Sequence, residues 1–235
     1  MDIKAVVFDV FGTVVDWRGS LIAELSAWGA ARGMAADWTG LVDAWRGAYA
    51  PSMDRVRRGE LPWTNIDALH RVALDQLAPK FGIVGLSEAE MDWVNRGWHL
   101  LRPWPDAVPG LTRLRQRFVV GSLSNGNVAL LVNMAKSAGL PWDVVLSGEL
   151  FRHYKPDPAV YLGACALLGL RPEQVMLAAA HNFDLRAAQD LGLRTAFIPR
   201  PTEYGPGQTK DLRPEGEWDL VVAGVDELAE QLRQQ

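Results

Sequence analysis

The sequence predicts an α/β protein, a doubly wound parallel sheet interrupted by an inserted helical cap. Three observations carry that reading. An apolar run from Ile3 to Phe8 reads as a buried parallel strand. No further strand pattern occurs between Asp16 and about Phe118. Beyond Phe118, strand-like and helical runs alternate, as in a parallel sheet with crossover helices. Because a single strand cannot bury itself, the first strand must join the later ones, and the helical stretch must interrupt one α/β domain. The expected division is a core of residues 1–15 and 104–235 around a cap of residues 16–103. Short linkers, Val14 to Trp17 and Pro103-Trp104-Pro105, join the two.

In chain order, the cap should hold helices near Leu21 to Arg32, Thr39 to Tyr49, Thr64 to Phe81 and Ser87 to Leu101. The core should then continue with strands at Phe118 to Leu123, Val144 to Ser147, Val175 to Ala179 and Thr195 to Ile198. Helices Val128 to Ala138, Pro158 to Leu168 and Asp184 to Leu191 separate them. Eight of the ten tryptophans fall between Trp17 and Trp104, which suggests an indole-packed four-helix cap able to exclude water from a cleft beneath it.

Composition narrows the class. A chain of 235 residues with 49% hydrophobic content can build one large domain or a core with an insert. The single cysteine, Cys165, excludes an internal disulfide and lies in an apolar helical run, so it reads as a packed side chain in a reducing, cytoplasmic protein. A net charge of -4, with no basic block, argues against nucleic-acid or anionic-membrane partners. Met1-Asp2 leads directly into the first strand, without the basic start of a signal peptide, and no apolar run is long enough to cross a bilayer.

The chemistry begins at Asp9. It stands at the carboxyl end of the first strand, where open α/β sheets hold their ligands, and Gly12 allows a sharp turn that aims amides at an anion. Taken alone, such an aspartate reads more readily as a helix N-cap. Four further stretches add weight. Leu123-Ser124-Asn125-Gly126 lies between a strand and a helix N-terminus, a natural anion site. Lys155-Pro156-Asp157-Pro158-Ala159-Val160-Tyr161 places a lysine just before a proline-initiated helix. Ala179-Ala180-His181-Asn182-Phe183-Asp184 follows another strand. Arg46 interrupts an apolar helical stripe formed by Val42 and Tyr49, a costly place for a cation unless it meets an anion.

Together these strings resemble the haloacid dehalogenase superfamily, with its Rossmann-like core, and within it the (S)-2-haloacid dehalogenases. Asp9-Val10-Phe11-Gly12-Thr13 is similar to their DxFGT motif. The resemblance implies Asp9 as nucleophile, Lys155 as its cationic partner and Thr13 in the same catalytic set. Ser124, with amides near Val10 and Phe11, would hold the substrate carboxylate. Arg46, Asn125 and Phe183 would surround the halide, with Tyr161 as a supporting donor and Asn182 in the substrate-binding set. Asp184, alone or with His181, would activate the hydrolytic water. The implied reaction converts a 2-haloacid to a 2-hydroxyacid through an aspartyl ester, with inversion, no cofactor and no metal, in a homodimer.

Departures matter as much. Superfamily phosphatases carry acids where this chain has Phe11 and Ala180, and neither residue can ligate magnesium. Ala179-Ala180-His181 also departs from the Ser-Ser-Asn of many dehalogenases, leaving open which group orients the water. Two alternatives stay open: a magnesium-dependent phosphatase of the same superfamily, and a non-catalytic binding module.

Overall fold

The computed structural model describes residues 1–234. Its elements in chain order are β1 (Ala5–Phe8), β2 (Val15–Asp16), α1 (Trp17–Ala30), α2 (Trp38–Gly47), α3 (Tyr49–Arg57), α4 (Ile66–Leu77), α5 (Glu88–Asn95), β3 (Arg102–Pro103), α6 (Ala107–Leu114), β4 (Val119–Ser124), α7 (Val128–Ala138), β5 (Val144–Ser147), α8 (Gly148–Phe151), α9 (Pro158–Leu168), β6 (Val175–Ala179), α10 (Asn182–Asp190), β7 (Arg194–Phe197), β8 (Leu220–Val221) and α11 (Val225–Arg233). Six strands form a parallel sheet in the order β5-β4-β1-β6-β7-β8, the doubly wound arrangement expected.

β1 is central because it is apolar on both faces. Val6 and Phe8 pack into one hydrophobic cluster with Met176 and Leu130, while Ala5 and Val7 pack into another with Leu177 and Tyr161. The two-residue alternation of a strand sends successive side chains to opposite faces. Its register, Phe8 opposite Ser122 on β4 and opposite Ala178 on β6, brings Asp9, Asn125 and Ala180 to one edge of the sheet.

Residues 17–99 contribute helices only. Asp16 caps α1 by accepting from Gly19 N at 2.8 Å, so α1 begins four residues before the expected Leu21. α3, which contains Pro51, was not among the expected helices. That proline occupies the first helical turn, where an absent N–H costs nothing. The stretch therefore holds five α-helices rather than four, and two of the expected helices end in 3₁₀ turns, Ala78–Phe81 and Arg96–His99. Trp17, Trp45 and Trp98 are fully buried against one another, and Trp93 is the exception at 37% exposure.

Where the helical stretch leaves and rejoins the sheet, β2 and β3 pair antiparallel, Asp16 opposite Arg102. Trp104 ties this strap to the first loop, donating from its indole to Gly12 O at 2.8 Å. Cys165 is buried and burial pushes its thiol up to about 11, as fits a packed side chain. Among the described residues no helix is long and apolar enough to cross a membrane.

Candidate active site

The turn after β1 is built around Gly12, whose φ of 88° lies in the left-handed region open to glycine. Gly12 N donates to Val15 O and Val14 N to Val10 O, closing the loop on itself. The amides of Val10 and Phe11 find no backbone acceptor among the described residues. Thr13 Oγ1 donates to Asp9 Oδ2 at 2.8 Å and accepts from Ala180 N at 2.8 Å, so one hydroxyl fixes the carboxylate to β6.

Asp9 is clasped from both sides. Lys155 Nζ donates to Asp9 Oδ1 at 3.0 Å and also to Asp184 Oδ2. The Tyr161 hydroxyl donates to the other oxygen of Asp184. On the opposite side, His181 Nδ1 lies 3.1 Å from Asp9 Oδ2 and its Nε2 lies 3.0 Å from Glu203 Oε2. Glu203 also accepts from the Trp17 indole at 3.0 Å and stands 3.9 Å from Arg46 Nη2.

The electrostatics follow from those partners. Burial alone would raise the Asp9 carboxyl, but the Lys155 charge and the hydrogen bonds from His181 and Lys155 hold it well below the usual carboxylate range. Asp9 is therefore an anion at neutral pH. Burial works against the Lys155 ammonium, yet Asp184 and Asp9 push its value above that of an ordinary lysine. Asp184 is raised, by burial first and by the Asp9 charge, against the pull of Lys155. His181 is raised well above its usual value, since the Glu203 charge and the Asp9 hydrogen bond outweigh burial. Burial pushes the Tyr49 phenol up to about 12, so it stays protonated although Arg46 stands 4.4 Å from its ring centroid.

A cavity of about 680 Å³ opens over this cluster. Asp9, Phe11, Arg46, Asn125, Lys155, His181 and Phe183, all singled out from sequence, line it. Arg46 is nearly enclosed, its guanidinium lying over Tyr49, and its buried Nη1 has no hydrogen-bond partner among the described residues. Phe183 is 60% exposed at the rim and stacks on His181.

Several expected site residues sit elsewhere. Asn182, placed in the substrate-binding set, turns away: its side chain bonds Asp211, the Arg213 carbonyl, Glu215 N and the Trp218 indole. It pins the long loop between β7 and β8. Tyr161, also placed there, is fully buried and serves Asp184 instead. Ser124 is fully buried, accepts from Gly126 N and is absent from the cavity wall. Asp184, expected at the hydrolytic water, is 1% exposed with both oxygens engaged. Asn125 lines the cavity but also clamps the Lys155 backbone, accepting from its N–H at 2.7 Å.

Sequence reasoning missed Glu203, Tyr204 and Lys210, carried by the loop after β7; the latter two line the cavity. The signal was available, since ligands gather at the carboxyl ends of every strand in such a sheet and this loop leaves one. The donor set does not suit magnesium: Phe11 packs its ring against Tyr49 and Trp98, Ala180 offers a methyl group, and Asp184 has no free oxygen.

Comparison with known proteins gives the family and the fold. A family model for haloacid dehalogenase-like hydrolases matches residues 3–192. An (S)-2-haloacid dehalogenase from Pseudomonas sp. strain CBS-3 is 30% identical over 218 residues, spanning 86% of this chain and 88% of its own length. The crystal structure of an L-2-haloacid dehalogenase superposes with a TM-score of 0.97 at 52% identity, covering 99% of this chain and 100% of its own. That of a defluorinating L-2-haloacid dehalogenase gives 0.95 at 47% identity, covering 98% and 95%. From the aspartate at the end of β1 to the helix after β6, the chain belongs to the haloacid dehalogenase-like hydrolase family.

Proposed function

We propose that this protein hydrolyses short 2-haloalkanoic acids to 2-hydroxyacids through an ester on Asp9. The observation that carries the proposal is an ionised, doubly clasped carboxylate at the floor of a cavity whose wall holds a buried arginine with an unpaired nitrogen. An ionised carboxylate with a fixed aim is a competent nucleophile at saturated carbon. Arg46 Nη1 offers its free donor to the halide, whose charge grows only as the carbon–halogen bond breaks, so it favours the transition state.

In the proposed sequence an Asp9 oxygen attacks C2 in line and expels halide with inversion. The substrate carboxylate is met by the unpaired amides of the turn after β1. Lys155 holds the other Asp9 oxygen, and Asp184 with Tyr161 holds Lys155. Water then attacks the ester carbonyl, so the hydroxyl oxygen of the first product comes from Asp9. The assignment of water activation moves to His181, because His181 lines the cavity 3.1 Å from Asp9 whereas Asp184 does not line it. The relatives' names favour an (S)-2-haloacid, which the proposed inversion would convert to an (R)-2-hydroxyacid, and the defluorinating relative makes a fluorinated 2-haloacid a necessary member of the substrate panel. No metal takes part.

The test is halide release from the two enantiomers of 2-chloropropionate, with and without chelator, followed by one turnover in heavy-oxygen water. Release from the (S) form alone, indifferent to chelator, and a light-oxygen first product are expected. Heavy oxygen in that product would mean direct attack by water and would remove Asp9 from the nucleophile's role.

A further inference from the structure

We infer that Glu203 is a positioning residue that decides which ring nitrogen of His181 keeps its proton once Asp9 is esterified, making Nδ1 the base for ester hydrolysis. The inference deepens the aspartyl-ester reading and rests on it. It starts from a difficulty in that reading. His181 lies between two carboxylates, Asp9 at Nδ1 and Glu203 at Nε2, and a ring between two ionised acceptors must donate from both nitrogens. In the free protein it is an imidazolium and can accept nothing.

Alkylation changes one side only. An Asp9 oxygen forms a bond to C2, the carbon–halogen bond breaks, and the halide leaves with the electron pair. Asp9 is now a neutral ester and no longer an anion that holds the Nδ1 proton, which passes to solvent. Glu203 is untouched. It is fully buried, and the Trp17 indole, the nearby Arg46 guanidinium and His181 fix it from three directions. Its charge keeps the proton on Nε2, so the neutral ring turns the Nδ1 lone pair toward the ester. The charged groups around the ring are Asp9, Glu203, Arg46 beyond Glu203, and Lys155 with Asp184 beyond Asp9.

The second half then balances. Water forms a bond to Asp9 Cγ and gives a proton to Nδ1. The proton passes to the departing alkoxide oxygen as the bond from Cγ to that oxygen breaks. Asp9 is left as a carboxylic acid, ionises into Nδ1 and restores the imidazolium. One halide and one proton leave per turnover. A carboxylate that fixes an imidazole tautomer in this way has the same task as the aspartate of a serine-protease triad.

Glu203→Gln separates the two halves. The amide oxygen is drawn to the Trp17 and Arg46 donors, which leaves the amide nitrogen donating to Nε2 and the proton on Nδ1. The variant should still release one halide per site in a burst. Its Asp9 ester should then accumulate, visible as a mass increment on the intact protein, while steady turnover falls by about 10²–10⁴-fold, the range for loss of a general base. Glu203→Asp keeps the charge one methylene further back and should accumulate the ester to a smaller extent, which keeps the test open if the glutamine variant fails to fold. Folded variants of either kind that turn over like the wild type, or that slow halide release and turnover equally without ester, overturn the inference alone. A wild-type protein that releases no halide overturns the function and the inference together.

Discussion

Asp9 has two flanks built on one plan: a cation bridges it to a second buried carboxylate, Lys155 to Asp184 on one side and His181 to Glu203 on the other. The difference between them is titration. Lysine's ordinary value is already far above neutrality and its carboxylate neighbours raise it further, so that flank keeps its proton throughout. Imidazole starts near neutrality, and what holds its proton is the charge of two neighbours, one of which the proposed chemistry consumes. The lysine flank is a fixed support; the histidine flank is a proton carrier. Burial agrees, since Asp184 is shut away from the cavity while His181 forms part of its wall.

Removing the shared centre should have the largest effect. Asp9→Asn should cut halide release by about 10⁴-fold or more, the scale on which a covalent nucleophile's loss is felt. The fold should survive, and a halide electrode with circular dichroism checks both. Residual activity above a few per cent, without deamidation to Asp, would break the symmetry between the flanks by making their common member dispensable.

Next comes Lys155→Met, which removes the cation between Asp9 and Asp184 and leaves Asp184 with none. A buried pair broken from one side costs about 3–5 kcal/mol, so the urea midpoint should fall and halide release should be lost with it. A variant as stable as the wild type would show that the lysine flank is not a support.

Arg46→Lys sharpens the histidine flank. The lysine keeps a charge near Glu203 but loses the free donor at Nη1. Halide release should fall about 10²–10³-fold, as for loss of one preorganised donor, with little change in melting temperature. Unchanged release kinetics would return Arg46 to a packing role.

The smallest effect separates the flanks by pH. A group whose folded value is raised, like His181, adds stability that is complete below its unfolded value and is lost as pH rises through the folded one. From about pH 6.5 upward, stability of the wild type should therefore decline by up to about 1.4 kcal/mol per pH unit. His181→Asn should remove that decline, and Lys155 adds none in the same window. Asp9 gives the opposite sign, its stability being present above the ordinary carboxylate value and lost as pH falls through its depressed one. Urea unfolding at about pH 6.5, 7.25 and 8, below the range in which the raised Cys165 thiol adds its own slope, decides it; equal slopes in wild type and variant would mean that His181 does not carry the extra proton.

The two flanks also differed in how far they could be read in advance. Lys155 and Asp184 lie in strings at regular helix starts, and it was the family resemblance of those strings that placed them with Asp9. His181 was equally visible, but its partner Glu203 sits in an irregular loop with no period to read, and the contact spans 22 residues that no local rule connects. Asn182 was misplaced for a related reason: the first residue of α10 can face the cavity or the neighbouring loop, and only Asp211, Glu215 and Trp218 decide for the loop. Five of the six sheet strands were legible because they are largely buried and mostly apolar, whereas the two-residue edge strand β8, with Val221 exposed, carries no such pattern. α6 was not legible either, because Pro109 and Gly110 disguise it; it is held by packing on α11 rather than by propensity.

At Gly12 a Cβ atom would lie 2.1 Å from Glu203 Oε1. Two positions 191 residues apart thus compete for one volume, so what stands at 12 is not independent of what stands at 203. A side chain at 12 is excluded while Glu203 is present, and a carboxylate at 203 is admitted only while 12 is bare. The turn beside the nucleophile and the loop that steers its histidine are in this sense a single inherited unit, one that a designer transplanting either half would have to move whole.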